Sequence, residues 1–247
     1  MADASTLPPL LEPFNSLAAS MSPPLHALLV ENATPTALDT SALLEGLPLG
    51  LPPGEPSDAS IMPALLDATQ CAALSAAVDG QRESMPDTVD GAVDLQLNLS
   101  QSELEALIGA ERVEAIFAAG RALDVQRGGS GERELPLVEA FVRRYTPDTR
   151  PFHPLHQDRA AITVNVALAA DDAHGGGRLV SVFSTGARRF ERAEGDATVH
   201  LSRIVHGVTR MTSGQRYSLI VFLGHEPPVQ RRIDPRTGEW TRVVLEP

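Results

Sequence analysis

The sequence contains no lysine and only one cysteine, and each scarcity limits what the chain can do. All 20 basic residues are arginine, which we attribute to coding bias, although the planar guanidinium suits carboxylate binding. The lone Cys71 excludes a disulfide within the chain. Because Cys71 lies in a short apolar helical pattern, we expect a buried structural thiol, which is compatible with a reducing compartment.

Basic residues are also missing from the N-terminal third. Residues 1–81 hold nine acidic side chains and no arginine, which leaves 23 acidic residues against 20 arginines in the rest of a chain whose net charge is -12. The sequence has neither a basic run nor a basic helix face to neutralise phosphates. It therefore argues against nucleic acid and anionic membranes as partners.

Long apolar runs are absent as well. Prolines interrupt the apolar patches at residues 7–11 and 25–30, and no positive region precedes them, as a signal or transit peptide requires. No stretch approaches membrane-spanning length. We therefore expect a cytoplasmic protein, and 247 residues suit one catalytic domain with an extra segment.

The sequence divides into an arm, a helical segment and a β-rich body. Residues 1–60 are rich in Pro, Leu, Ala and Ser, which predicts an irregular arm that either wraps the core or extends into solvent. We expect that removing residues 1–55 leaves a folded domain. Residues 61–247 form the predicted catalytic domain, with supporting helices over 61–130 and the β-rich body over 135–247.

Capping signals and apolar spacing locate the helices and strands. Two capping boxes, Asp67 with Gln70 and Ser100 with Glu103, predict one helix near 68–79 and two more after Ser100. Further along the apolar period shortens, which predicts strands over 138–145, 161–168, 179–183, 204–209 and 217–223. Strands without intervening helices indicate a sandwich or barrel, of which the jelly roll is one member.

The motif His156-Gln157-Asp158 gives the first chemical signal. On an extended strand, residues two apart emerge on the same face, so the imidazole and the carboxylate can share one ion. A second, distant imidazole would complete a two-histidine, one-carboxylate facial triad, which leaves three adjacent positions open on iron(II). Alone the motif is a weak signal, because a chain with seven His and many Asp forms this spacing readily by chance.

His206 and Arg216 give the second signal. His206 lies in the apolar stretch 204–208, and Arg216 opens the next apolar stretch ten residues later. A reversal at 212–214 would set the two strands side by side. A buried guanidinium keeps its charge and needs a partner, and a carboxylate meets that need with two parallel hydrogen bonds. Because Ser218 shares the strand face of Arg216, the two residues form a predicted clamp for a dicarboxylate.

Together these residues carry a resemblance that spans about a third of the chain. The stretch from Phe141 to Phe222 resembles the 2-oxoglutarate and iron(II) dioxygenases of the prolyl hydroxylase type, and is most similar to the catalytic domain of procollagen lysyl hydroxylases. The matching residues are Arg144-Tyr145-Thr146-Pro147-Asp148, Pro151, His156-Gln157-Asp158, residues 163–168, glycines 175–177, His206-Gly207 and Gly214-Gln215-Arg216-Tyr217.

The resemblance implies a double-stranded β-helix in which His156, Asp158 and His206 hold iron(II) and Arg216 and Ser218 hold 2-oxoglutarate. It also implies oxygen as co-substrate, ascorbate as an accessory cofactor, and hydroxylation of an unactivated C–H bond with release of succinate and carbon dioxide. Since Asp158 fills the position that a halide takes in related halogenases, hydroxylation is favoured over halogenation. The implied substrate is an amino acid or a peptidyl lysine or proline side chain, and the oligomeric state stays open.

Other polar residues receive weaker assignments. Tyr145 is assigned to the co-substrate pocket, with a core aromatic as the alternative. Thr163 and Asn165 would face inward together and line the same pocket, with a structural hydrogen bond as the alternative. His200 is assigned to the surroundings of the metal or the rim of the substrate site, and glycines 175–177 to a turn. Solvated or structural roles are expected for the remaining histidines, which are His26, His153, His174 and His225.

Two other functions stay open on sequence grounds. A non-catalytic member would keep the metal-binding β-helix as a scaffold or sensor, but it would need neither the complete triad nor the clamp. A cupin-like metalloenzyme would work without 2-oxoglutarate. Arg216 with Ser218 is the feature that discriminates against both, and coupled succinate release is the discriminating observation.

Overall fold

The computed structural model describes residues 11–48, 51–80, 85–87, 89–130, 134–224, 229–233 and 240–244. His225 lies outside the described residues. The described helices are α1 Glu12–Ser20, α2 Pro23–Leu29, α3 Thr40–Glu45, α4 Ala68–Gly80, α5 Gln101–Ile108 and α6 Ala110–Gln126. The described strands are β1 Ala59–Met62, β2 Met85–Pro86, β3 Val93–Asn98, β4 Leu137–Tyr145, β5 His153–His156, β6 Ile162–Ala167, β7 Gly175–Gly176, β8 Leu179–Phe183, β9 Gly186–Arg189, β10 Ala197–Leu201, β11 Val205–Val208, β12 Met211–Ser213, β13 Arg216–Leu223, β14 Val229–Ile233 and β15 Trp240–Val244.

The three predicted helices and the five predicted strands are present, whereas β3, β5, β9 and β10 were not predicted. The predicted side-by-side pairing of the strands that carry His206 and Arg216 is wrong, because β11 and β13 lie in different sheets. α4 begins where Asp67 and Gln70 exchange hydrogen bonds of 2.9 and 3.0 Å, and the Ser100 capping box begins α5. Gly109, at φ 89°, separates α5 from α6, a backbone conformation that glycine adopts without strain.

The larger wall of the fold is a seven-stranded sheet in the order β1-β10-β6-β13-β4-β3-β2. Side chains alternate between its two faces. On β13, Leu219 and Val221 join the core beneath α4, α5 and α6, so Arg216 and Ser218 occupy the opposite face. Cys71 is fully buried in this core, and burial raises the pKa of its thiol to about 12. The expectation of a buried structural thiol is thereby confirmed.

The smaller wall is a four-stranded sheet in the order β5-β11-β8-β9, and the N-terminal arm covers its outer face. The contact is apolar and joins two sets of buried residues: Leu25, Leu28, Leu29 and Leu43 of the arm, and Leu155, Val180, Val182 and Val205 of the sheet. Four leucines removed from water contribute about 1.5–3 kcal/mol each. The arm is therefore part of the core, which argues against the expectation that it is dispensable.

The arm also differs from the irregular segment that its prolines predict. Prolines occupy the first turn of α1 and of α2, where the missing N–H has no helical partner to lose. Asp39 caps α3 by accepting hydrogen bonds from the backbone of Ser41 and Ala42. The proposed boundary at residue 60 falls inside β1, which pairs with β10 of the larger sheet.

The two sheets face each other across a space lined by the inward residues of both. Tyr145 of β4 packs with Leu179 of β8 and Val208 of β11, and the rings of His200 on β10 and His206 on β11 lie 4.7 Å apart. Pairing between the described strands is antiparallel, which is consistent with a jelly roll. Among the described helices, none is both long and apolar enough to span a membrane.

Candidate metal centre and carboxylate pocket

Three predicted ligands meet at one point between the sheets. His156 ends β5 and lies directly opposite His206 on β11, and Asp158 follows two residues beyond the end of β5. His156 Nε2 lies 3.3 Å from Asp158 Oδ1, and His206 Nε2 lies 3.5 Å from Asp158 Oδ2. One ligand atom from each residue falls within 4.8 Å of the other two. This spacing suits a single metal ion held by two imidazoles and a carboxylate.

Backbone carbonyls fix the tautomers of both imidazoles. His156 Nδ1 donates to the carbonyl of Pro154, and His206 Nδ1 donates to the carbonyl of Ile204, each at 2.9 Å. With the ring hydrogen on Nδ1, Nε2 of each ring keeps its lone pair for a metal. Burial lowers the pKa of His206 to about 3, so its imidazole is neutral near pH 7, as a ligand must be.

Asp158 is held by hydroxyl groups and by its backbone. Thr163 Oγ1 donates to Asp158 Oδ2 at 2.6 Å and lies 2.8 Å from Ser202 Oγ, while the Asp158 amide donates to the Ser202 carbonyl at 2.9 Å. Burial raises the pKa of Asp158, but the interactions with the adjacent imidazoles of His206 and His156 outweigh it, and the pKa is lowered. The sequence assigns Thr163 to the co-substrate pocket. The structure places its hydroxyl against the carboxylate of Asp158, a candidate metal ligand.

Arg216 holds a buried guanidinium on the inward face of β13. The residue is 2 % exposed, and within the described part of the chain Nε and both Nη atoms lack a hydrogen-bond partner. The guanidinium lies 4.6 Å from the ring centroid of Tyr145. Ser218 Oγ, fully buried on the same face of β13, also lacks a partner there. Burial lowers the pKa of Arg216 to about 10, so the group stays charged near pH 7 and suits a carboxylate ligand.

Asn165 is placed differently from Thr163. Its side-chain oxygen accepts a hydrogen bond of 2.9 Å from Arg192, whose guanidinium is paired with buried Asp171. The oxygen is thereby occupied, and the amide NH2 group remains available on the inward face of β6. The position of Asn165, opposite Ile220 of β13 and Thr198 of β10, agrees with pocket lining.

A second group of ligand-type side chains comprises Asp87, Asp90 and His153. Arginines already neutralise this group: Arg143 donates to Asp87 at 2.6 Å, and Arg150 lies 3.3 Å from His153 Nδ1. A metal ion would compete with two buried guanidiniums, so we do not assign a metal here. The network instead holds the His153 ring, which stacks on the His156 ring at 4.3 Å.

Two histidines for which the sequence predicts solvated or structural roles are buried near the pocket groups. His153 is 2 % exposed and stacks on a candidate ligand, and His174 is 6 % exposed and lies near Arg216. A three-residue spacing on a regular strand puts side chains on opposite faces, so the sequence did not indicate the contact between His153 and His156, which coincides with a register shift in the pairing of β5 with β11. No local sequence pattern marks His174, because Arg216, the residue that it lies near, is distant in the sequence. His200, assigned to the surroundings of the metal, is 1 % exposed and its ring contacts His206.

Solved structures share this fold, although no protein-family model and no curated protein matches the sequence. A prolyl-4-hydroxylase of Pseudomonas putida is 21% identical, with a TM-score of 0.52 over 68% of this chain and 93% of that chain. A Trichoplax adhaerens prolyl hydroxylase, in complex with a hypoxia inducible factor peptide fragment, is 15% identical, with a TM-score of 0.51 over 69% and 84%. An oxidoreductase of the 2OG-Fe(II) oxygenase family from Burkholderia pseudomallei is 18% identical, with a TM-score of 0.50 over 69% and 86%. The chain therefore has a fold that is shared by prolyl hydroxylases and by a member of the 2OG-Fe(II) oxygenase family.

Proposed function

We propose that the chain is an iron(II)- and 2-oxoglutarate-dependent dioxygenase that hydroxylates an unactivated C–H bond and releases succinate and carbon dioxide. The observation that carries this proposal is the guanidinium of Arg216 beside the hydroxyl of Ser218, neither of which has a hydrogen-bond partner among the residues that the structure describes. Buried polar groups are nearly always paired in folded proteins. A buried charge without a protein partner therefore points to an anionic ligand that completes the site.

The triad fits the proposed metal. Its three side chains present two imidazole nitrogens and one carboxylate, a set typical of iron(II) oxygenases, and the remaining positions are free for co-substrate and oxygen. Iron(II), when bound there, supplies the oxygen activation that no protein side chain can provide. The protein's part is to orient the ligands, through the carbonyls of Pro154 and Ile204 and the hydroxyl of Thr163, and to exclude bulk water.

Two further buried hydroxyl groups on the inward faces of the sheets suit a polar ligand such as 2-oxoglutarate. Ser181 Oγ, which lies beside His206 across β8 and β11, and Thr198 Oγ1 on β10 are buried without hydrogen-bond partners in the described chain. In this proposal Arg216 and Ser218 bind the distal carboxylate, with the Tyr145 ring beneath the guanidinium. Thr163 supports the metal ligand Asp158 and Asn165 lines the pocket wall.

The substrate class follows from the resemblance of the motifs. Similarity of the motifs to lysyl hydroxylases favours an amino acid or peptidyl lysine or proline side chain, and ascorbate would serve as an accessory reductant. Asp158 at the third ligand position favours hydroxylation over halogenation. A scaffold or a cupin-like enzyme without 2-oxoglutarate would have no use for the Arg216 and Ser218 pair.

Anaerobic reconstitution with iron(II) tests the proposal. We expect calorimetry to show 2-oxoglutarate binding that depends on the metal, and oxygen to start slow succinate formation that an amino acid or peptide substrate accelerates. Removing the metal with a chelator should abolish both signals. Metal binding without any 2-oxoglutarate binding would contradict the proposal and favour the scaffold.

A further inference from the structure

His174, in the segment that leads into β7, is a buried histidine with one unused nitrogen. Its Nδ1 lies 3.0 Å from the carbonyl oxygen of Gly176. Because the carbonyl can only accept, Nδ1 is the donor, and the neutral ring then carries only a lone pair on Nε2. That Nε2 is buried and lacks a hydrogen-bond partner within the described residues. A nitrogen in this state is available to a ligand.

Arg216 of the proposed carboxylate pocket lies close to this ring. A methyl carbon added at Gly177 would lie 3.3 Å from His174 Cε1 and 3.3 Å from Arg216 Cδ, so these two carbons are at most 6.6 Å apart, twice 3.3 Å. A methyl carbon at Gly214 would lie 3.2 Å from His174 Cβ. Because neither glycine carries a side chain, the imidazole of His174 can lie beside the aliphatic stem of the Arg216 side chain.

The charges around His174 favour its neutral form in the free protein. Burial, followed by the positive charge of Arg216 on β13, lowers the pKa of His174, and Arg178 adds to this effect. Asp171 opposes it, but its carboxylate is paired with Arg192 at 3.4 Å. Before a ligand binds, two cations therefore face a ring that presents a lone pair.

We propose that His174 is a third contact for the distal carboxylate of 2-oxoglutarate, beside Arg216 and Ser218, and that its Nε2 takes up a proton from solvent on binding and donates it in a hydrogen bond. The inference rests on the proposed function. A lone pair cannot bond a carboxylate oxygen, whereas an imidazolium makes a charge-assisted bond to it. The bound carboxylate also offsets the charge of Arg216, which otherwise disfavours protonation.

Binding of 2-oxoglutarate should therefore depend on pH. The bound state holds the His174 proton more tightly than the free state, so affinity is highest below the free-state pKa and is lost as pH rises toward the bound-state pKa. At its steepest the loss is about tenfold per pH unit for one linked proton. Both carboxylates of 2-oxoglutarate are already ionised in this range and contribute no such slope.

Calorimetry on the full-length protein loaded with zinc(II), which is redox-inert, tests the inference. Titrations with 2-oxoglutarate at about pH 6, 7 and 8, each in two buffers of different ionisation enthalpy, report the protons taken up. His174→Gln places an uncharged amide donor near the position of Nε2. His174→Asn keeps a donor for the Gly176 carbonyl and removes Nε2. His26→Gln, on the exposed face of α2, is the control.

We expect the parent and His26→Gln to take up as much as one proton per 2-oxoglutarate, and His174→Gln to take up none and to bind with an affinity that does not vary with pH. His174→Asn should bind about tenfold more weakly than the parent near pH 6 and nearly as well near pH 8. Uptake that persists in both His174 variants, or a parent without uptake, would overturn the inference and leave the proposed function standing. A parent that binds zinc(II) but no 2-oxoglutarate would overturn the proposed function itself.

The unmodified protein provides a second measurement if neither variant folds. Nitrogen-15 resonances of the zinc(II)-loaded parent distinguish a neutral imidazole from an imidazolium. One histidine that becomes an imidazolium when 2-oxoglutarate is added supports the inference, and histidine resonances that keep their protonation state overturn it.

Discussion

Replacing Arg216 with Met should move stability and co-substrate affinity in opposite directions. Burial lowers the pKa of Arg216 to about 10 from 12.5, so the charged guanidinium destabilises the free fold by about 3 kcal/mol. The guanidinium is a base, and the folded chain holds its proton less tightly than the unfolded chain. The free-energy penalty is therefore present at neutral pH, where the guanidinium is charged. Arg216 is 2 % exposed, so solvent screens little of this penalty.

Met removes the charge but keeps an unbranched side chain over Tyr145. The loss of the cation–π contact with Tyr145 costs about 1–2 kcal/mol. We therefore expect the unfolding free energy of the free protein to rise by about 1 kcal/mol. The loss of a two-pronged bond to a carboxylate costs about 3 kcal/mol, which lowers the affinity for 2-oxoglutarate by about two orders of magnitude.

Denaturant titration of the metal-free protein and calorimetry of the metal-loaded protein measure the two effects. Arg216→Lys should keep part of the affinity as a point charge without the planar fork, and Arg121→Met, on the surface of α6, should change neither quantity. Arg216→Met that loses more than about 2 kcal/mol of stability while binding 2-oxoglutarate normally would show that Arg216 is a structural residue.

Three further predictions concern the metal and the arm. His206→Ala should abolish iron(II) binding while circular dichroism stays native, and equal binding in this variant would move the ligand role to another histidine. Thr163→Val should weaken metal binding by about 10- to 100-fold because it removes the 2.6 Å bond to Asp158, whereas Thr198→Val, which removes a hydroxyl without a partner in the described chain, should not. Leu28→Ala should lower the unfolding free energy by about 2–5 kcal/mol, since Leu28 is fully buried against the smaller sheet, and removal of residues 1–55 should give an insoluble chain. A soluble, metal-binding truncation would restore the view that the arm is dispensable.

Local sequence information was sufficient for α4, α5 and α6 and for five strands of the β-rich body. The Asp67 and Ser100 capping boxes start helices because a side chain three residues away satisfies free backbone groups, a contact that needs no tertiary partner. Strands β4, β6, β8, β11 and β13 follow from apolar period and turn residues, whereas β5, β9, β10 and β12 did not stand out in the sequence. Spacing also brought out the motif His156-Gln157-Asp158 and the pair formed by His206 and Arg216. The predicted hairpin was wrong, however, because β11 and β13 belong to different sheets that face each other, and Asp158 lies beyond the end of β5.

Only the tertiary structure decided which partner each polar side chain meets. Thr163 and Asn165 have the same spacing and the same inward orientation, yet one hydroxyl supports Asp158 and the other side chain is held by Arg192. The prolines of the arm read as helix breakers, but they begin helices because the leucines that follow can be buried on the smaller sheet. His174 has no local mark at all, and its position near Arg216 depends on two glycines in separate turns. Burial and contact between distant segments set these roles, and a pattern within one segment contains neither.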